Sequence, residues 1–141
     1  MPTATVLLLV DEFKQLPDSC TIKKPIIVKH AKHRLFYGSA APDDLTLVAK
    51  GKGGASLDIE FIVPGYELDA TPVNFNGVNT AKNFKKTQPV EDPSSVTITN
   101  LFNDVGQGAG RPKWKYSITI RDPKTGQSGV IDPPIENEQM D

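Results

Sequence analysis

From Trp114 to Arg121 apolar and polar residues alternate without a break, with Trp114, Tyr116, Ile118 and Ile120 interleaved by Lys115, Ser117, Thr119 and Arg121. Successive side chains of a strand point to opposite faces, so this stretch reads as a strand with one buried and one wetted face. Asp122, Pro123, Lys124, Thr125 and Gly126 then supply turn chemistry. Proline presets φ at the second turn position and glycine tolerates the positive φ that closes a hairpin. A return strand through Val130 and Ile131 is predicted, ending at Pro133 and Pro134, which cannot donate to a ladder.

The same period recurs upstream. Leu57, Ile59, Phe61 and Val63 alternate with Ser56, Asp58 and Glu60, and Leu45, Leu47 and Ala49 alternate with Thr46 and Lys50. The glycine-bearing segment 50–55 between them reads as a hairpin loop. Val96 and Ile98 with Thr97 and Thr99 mark a further strand; Thr3 to Val10, Ile26 to Val28 and Leu35 to Tyr37 are the other candidates. Seven to nine strands with turn signals every 8 to 12 residues predict an all-β, antiparallel sandwich. The expected core draws on Val6, Leu8, Ile26, Val28, Leu47, Ile59, Phe61, Val96, Ile98, Trp114, Tyr116, Ile118 and Ile120.

The 12 prolines and 11 glycines among 141 residues are spread along the whole chain, which excludes a long-helix or coiled-coil protein. Helix is expected at most as one turn, after Val10 or around Thr80 to Phe84. Two loops look long, Pro64 to Gln88 and Asn103 to Pro112, and loops on a rigid β scaffold are where function concentrates. The expected organisation is one domain over 1–135 followed by a polar, frayed C-terminal tail over 136–141.

A net charge of −1 gives the chain no electrostatic reason to seek nucleic acid or an anionic membrane, so neither is expected as a partner. At 7% aromatic residues there is no ladder for stacking bases, and no apolar run approaches a membrane span. Met1 to Val10 lacks the basic start and long apolar run of a secretory signal. The single cysteine, Cys20, excludes an internal disulfide and fits a reducing, cytoplasmic compartment. The charge is uneven, however. Lys23, Lys24, Lys29, Lys32 and Arg34 form a basic segment free of acids, a candidate interaction patch, while Asp132, Glu136, Glu138 and Asp141 leave the end acidic. The plainer reading of the basic segment is solvated side chains that guard strand edges.

No constellation names a reaction. His30 and His33 stand three apart, but on strand or turn they diverge, and Lys29, Lys32 and Arg34 would repel a cation. A blue-copper set fails too, because Cys20 precedes both histidines and Met140 is far away. Cys20 as a nucleophile would need a base and a cationic setting from His30, His33, Lys23 or Lys24. No serine sits in G-x-S-x-G. The glycine-rich run 106–110 lacks a Gly-Lys-Ser/Thr ending, and Pro112 leads into a strand, not a phosphate-binding helix. Asp43 and Asp44 read as turn residues, and Asp58 and Glu60 as the wet side of a strand. No catalytic residue, cofactor or cofactor-binding residue is assigned, and the metal candidates are limited to His30, His33 and Cys20.

The final hairpin, Trp114-Lys115-Tyr116-Ser117-Ile118-Thr119-Ile120, a polar turn, then Val130-Ile131-Asp132-Pro133-Pro134-Ile135, resembles the ending of small uncharacterised bacterial immunoglobulin-like β-sandwich proteins. The resemblance covers the last quarter of the chain, implies an immunoglobulin-like sandwich, and carries over no catalytic residue. The functional expectation is a non-enzymatic binding or protein-interaction module that meets itself or another protein through an edge strand or a long loop. The alternatives are a small metal-binding protein or enzyme using His30, His33 and Cys20, and a structural subunit of a phage or bacterial surface assembly.

Overall fold

A computed structural model describes residues 3–14, 19–22, 26–29, 35–37, 47–87, 93–107, 110–131 and 134–139. These residues hold thirteen strands and one helical turn: β1 (Thr3–Leu7), β2 (Val10–Lys14), β3 (Ser19–Ile22), β4 (Ile26–Lys29), β5 (Leu35–Tyr37), β6 (Leu47–Gly51), β7 (Leu57–Ile62), β8 (Glu67–Asn76), α1 (Thr80–Asn83), β9 (Phe84–Thr87), β10 (Ser95–Asn100), β11 (Lys113–Arg121), β12 (Ser128–Ile131) and β13 (Pro134–Gln139). The first sheet runs β4-β1-β7-β10-β9 and the second β2-β3-β12-β11-β13-β6-β5, with β8 also on β11. The chain is thus all-β, as its alternation predicts.

Both sheets are mixed. β1 runs parallel to β7, β3 to β12 and β6 to β13, where antiparallel pairing throughout was expected. The reason is that the chain repeatedly changes sheet. The run Thr3 to Val10 is not one strand: β1 lies in the first sheet, the Leu8 amide still bonds Ile62 O at 2.8 Å, and β2 starts the second sheet. Residues after Val10 are strand, not helix, and the one helical turn is α1. Segment 50–55 is likewise no hairpin loop, because it carries the chain from β6 in the second sheet to β7 in the first. Gly54 (φ 81°) makes the bend, its amide bonding Phe102 O at 3.2 Å.

The second sheet forks at β11. β8 pairs with β11 from Lys115 to Arg121, while β12 takes Ile118–Arg121 and β13 takes Lys113–Lys115. A strand has two edges, so β12 and β13 lie end to end along the one that β8 leaves open. The predicted hairpin joins β11 to β12. Gly126 has φ 76°, its amide bonds Asp122 O at 2.8 Å, and the Asp122 carboxylate accepts from the Lys124 amide at 2.9 Å.

Two expectations fail on polar segments. The supposed long loop Pro64 to Gln88 contains β8, α1 and β9. Its strand is hard to read because residues 69–72 stand opposite Thr119 alone, a bulge that breaks the period between Leu68 and Val73. The supposed tail is strand as far as Gln139: β13 runs between β11 and β6, and Asn137 is fully buried.

Inward-facing side chains from both sheets build one core. β7 alternates buried and half-buried residues with Leu57, Ile59 and Phe61 inward, and β11 alternates buried Trp114, Tyr116, Ile118 and Ile120 with exposed or half-buried residues. Aromatic rings join the sheets: Phe61 meets Tyr116 at 5.5 Å, Phe84 stacks on Phe75 at 4.4 Å and meets Trp114 edge-on at 4.9 Å. Each such side chain contributes about 1.5–3 kcal/mol by leaving water. Of the expected core, eleven residues are buried, and Ile26 and Val28 lie on β4. β6 departs from alternation, since Leu47, Val48 and Ala49 are all fully buried. A strand covered on both faces loses the period-2 pattern.

Candidate functional site: a cleft beside Trp114

At the end of the molecule where β8, α1, β10 and β11 have their loops, an open cleft of about 560 Å³ is lined by Val78, Asn79, Asn103, Asp104, Val105, Pro112, Lys113 and Trp114. Its floor rests on the core. Trp114 is only 2% exposed, and its Nε1 donates to the Val78 carbonyl at 2.7 Å. Gly77 (φ 146°) brings the loop close to the indole, where a Cβ would lie 2.5 Å from Trp114 Cδ1. Only glycine fits that position. The loop so pinned holds the Val78 side chain out in solvent, 78% exposed.

The opposite wall is built by amides. Asn79, left-handed at φ 60°, precedes α1, and Asn83 closes it. Asn83 is fully buried, and both its ends are used: Nδ2 donates to Asn79 O at 3.0 Å and to Asp104 Oδ2 at 2.8 Å, and Oδ1 accepts the Asp104 amide at 2.8 Å. Asn79 Nδ2 and Lys82 Nζ also reach the Asp104 carboxylate, each at 3.4 Å. The hydrogen bond from Asn83, aided by the Lys82 charge against a smaller opposing effect of burial, holds the Asp104 carboxyl below its ordinary value. Asp104 is therefore an ionised, oriented acceptor and no proton donor at neutral pH.

Behind this wall lies a second amide pair. Asn100 on β10 and Asn137 on β13, both fully buried, exchange bonds of 2.7 and 3.2 Å between the sheets. Asn100 Oδ1 also accepts the Phe102 amide at 3.1 Å, and Asn137 Nδ2 donates to Asp104 O at 3.1 Å. The loop after β10 is thereby fixed, with Phe102 held left-handed (φ 50°) and its ring against Gly51. The glycine-rich loop packs along β13: Gln139 N bonds Gly106 O at 2.8 Å, Asn137 N bonds Pro112 O at 3.1 Å, and Arg111 pairs with Glu136 at 3.6 Å and Glu138 at 3.3 Å.

Of the site residues singled out by sequence, the two that the structure describes, Cys20 and Lys29, do not line the cleft. Lys23, Lys24, His30, Lys32, His33 and Arg34 fall outside the described residues, as do Asp43 and Asp44. Lys29 ends β4 opposite Thr5, and Cys20 pairs with Phe13 between β3 and β2. Asp58 accepts from the Thr99 hydroxyl at 2.7 Å across the first sheet. Among the described residues no group of three or more His, Cys, Asp or Glu side chains could hold a metal, and no helix is long and apolar enough to cross a membrane. Sequence reading missed Asn83, Asn100 and Asn137, because an asparagine beside apolar neighbours looks the same whether it faces water or an internal partner. Comparison with models of known protein families and with curated proteins returns no match.

Proposed function

We propose that the chain is a non-enzymatic protein-interaction module on an immunoglobulin-like β-sandwich, and that a partner protein seats an apolar side chain in the Trp114 cleft. The observation that carries this reading is Val78, held in solvent by the bond between its carbonyl and a buried indole. The lining combines apolar Val78, Val105, Pro112 and Trp114 with polar Asn79, Asn103, Asp104 and Lys113, the mixture an interface uses to bury an apolar anchor among polar groups. Asp104 and the amides around it supply fixed hydrogen-bonding groups. The single cysteine favours a reducing, cytoplasmic setting.

Pairing of copies along a sheet edge is the competing form of the same reading. β9, an edge of the first sheet among the described residues, carries exposed Lys85, a feature that discourages edge pairing. A thermal-shift screen with peptides and with small metabolites, combined with light scattering, tests the proposal. The expected result is stabilisation by peptides carrying an apolar anchor, abolished by Val78→Asp. That exposed substitution should leave the free protein's stability within about 0.5 kcal/mol. A monomer that no peptide stabilises, or one that responds only to metabolites, overturns it.

A further inference from the structure

Of the chain's seven asparagines, Asn74, Asn76, Asn79, Asn83, Asn100, Asn103 and Asn137, only Asn76 is followed by glycine. The structure sets it apart again from five of the other six. Asn83, Asn100 and Asn137 are fully buried and bonded. Asn79 and Asn103 spend their side-chain amides on Asp104 and Lys82 O. Asn76 is exposed at the last position of β8, opposite Lys115, where the chain leaves the ladder for the bend at Gly77.

We propose that Asn76–Gly77 is a site of spontaneous deamidation in the folded protein. The Gly77 backbone nitrogen, losing its proton to water or hydroxide, attacks Asn76 Cγ. The new N–C bond closes a five-membered succinimide as the Cγ–Nδ2 bond breaks and ammonia leaves. Water then opens the ring at one of its two carbonyls, giving aspartate or isoaspartate, so the balance is one water consumed and one ammonia released. Glycine at 77 is what admits the reaction, because a side chain there would shield the nitrogen. The same glycine is required by the approach to Trp114 at φ 146°, so packing and modification are tied to one residue.

The product adds a negative charge across from Lys115, and in its isoaspartyl form a backbone methylene where the ladder ends. The experiment is to age the purified chain at physiological temperature and mildly alkaline pH, folded and in denaturant, and to map its peptides by mass spectrometry. An isoaspartate methyltransferase labels the rearranged product. The expected result is amide-to-acid conversion of the Asn76 peptide in the folded sample, with isoaspartate labelling, while the peptides holding Asn83, Asn100 and Asn137 keep their amides. Asn76→Gln should abolish both signals. Conversion only in denaturant, conversion at other asparagines instead, or no conversion overturns the proposal.

Discussion

Three buried asparagines tie the loops of this protein to its core, and their value lies in being fully satisfied. Asn137 Nδ2 has to face the Asp104 carbonyl and Asn100 Oδ1 the Phe102 amide, and only one orientation of each amide allows the reciprocal pair between them. Asn100→Ala and Asn137→Ala should each cost about 1–3 kcal/mol, because each orphans buried groups on its partners. The double variant should cost less than the sum, since the second change removes a residue already deprived of its partner. Denaturant midpoints measure this, and strict additivity would contradict the pairing. Asp104 makes a separate prediction. Its folded pKa lies below the unfolded one, so its stabilisation is complete above roughly pH 4 and is lost as pH falls through the folded value. The stability gap between the wild type and Asp104→Asn should be constant from neutral pH to about 4 and close in stronger acid. A gap that widens in acid would contradict it.

At the scale of elements the decisive case is β13. Its outward Glu136 and Glu138 hold Arg111, with Lys50 3.9 Å from Glu138, while Ile135 and Asn137 point into the core. Polar composition suggests a tail, yet the strand lies between β11 and β6. Removing residues 136–141 should therefore strip β6 of a neighbour and take from the buried Asn100 Nδ2 its bond to Asn137. A loss of at least about 2–3 kcal/mol, or failure to fold, is expected, where a frayed tail would cost nothing. Thermal melts of the shortened chain decide between the two. The strands with clean alternation, β7, β10 and β11, and the Asp122–Gly126 turn were legible in sequence because one face is dry and the other wet. β6 was legible as a strand from Leu47 and Ala49, but its burial on both faces, which also takes Val48 inside, was not; β8 and β13 were missed because a bulge shifts the period of the first and the second, a polar strand satisfied by internal partners, resembles a solvated one. The cleft escaped for a related reason, since Val78 and Trp114 are 36 residues apart in sequence and are brought together by the β8–β11 pairing.

Across the whole molecule, pairing order is what sequence patterning leaves open. A strand's alternation specifies which face is buried and says little about its neighbour, so the three parallel pairs and the fork at β11 come from sheet changes that no local signal records. Those sheet changes bear on cooperativity. The chain passes between the sheets after Leu8 and again at 50–55, and the Phe75–Phe84–Trp114 cluster packs one sheet on the other. Neither sheet can lose its inner face without exposing that of its partner. The prediction is one cooperative transition. Fluorescence of Trp114, the sole tryptophan, reports on the second sheet, whereas far-ultraviolet dichroism reports on strands of both. Their denaturation midpoints should coincide in the wild type and still coincide in Phe84→Ala. That substitution in the first sheet removes ring contacts to Phe75 and Trp114, and should lower both midpoints by the same amount, at a cost of about 3–5 kcal/mol. If the dichroism midpoint fell while the fluorescence midpoint stayed, the two sheets would be separate folding units and the shared core would not couple them.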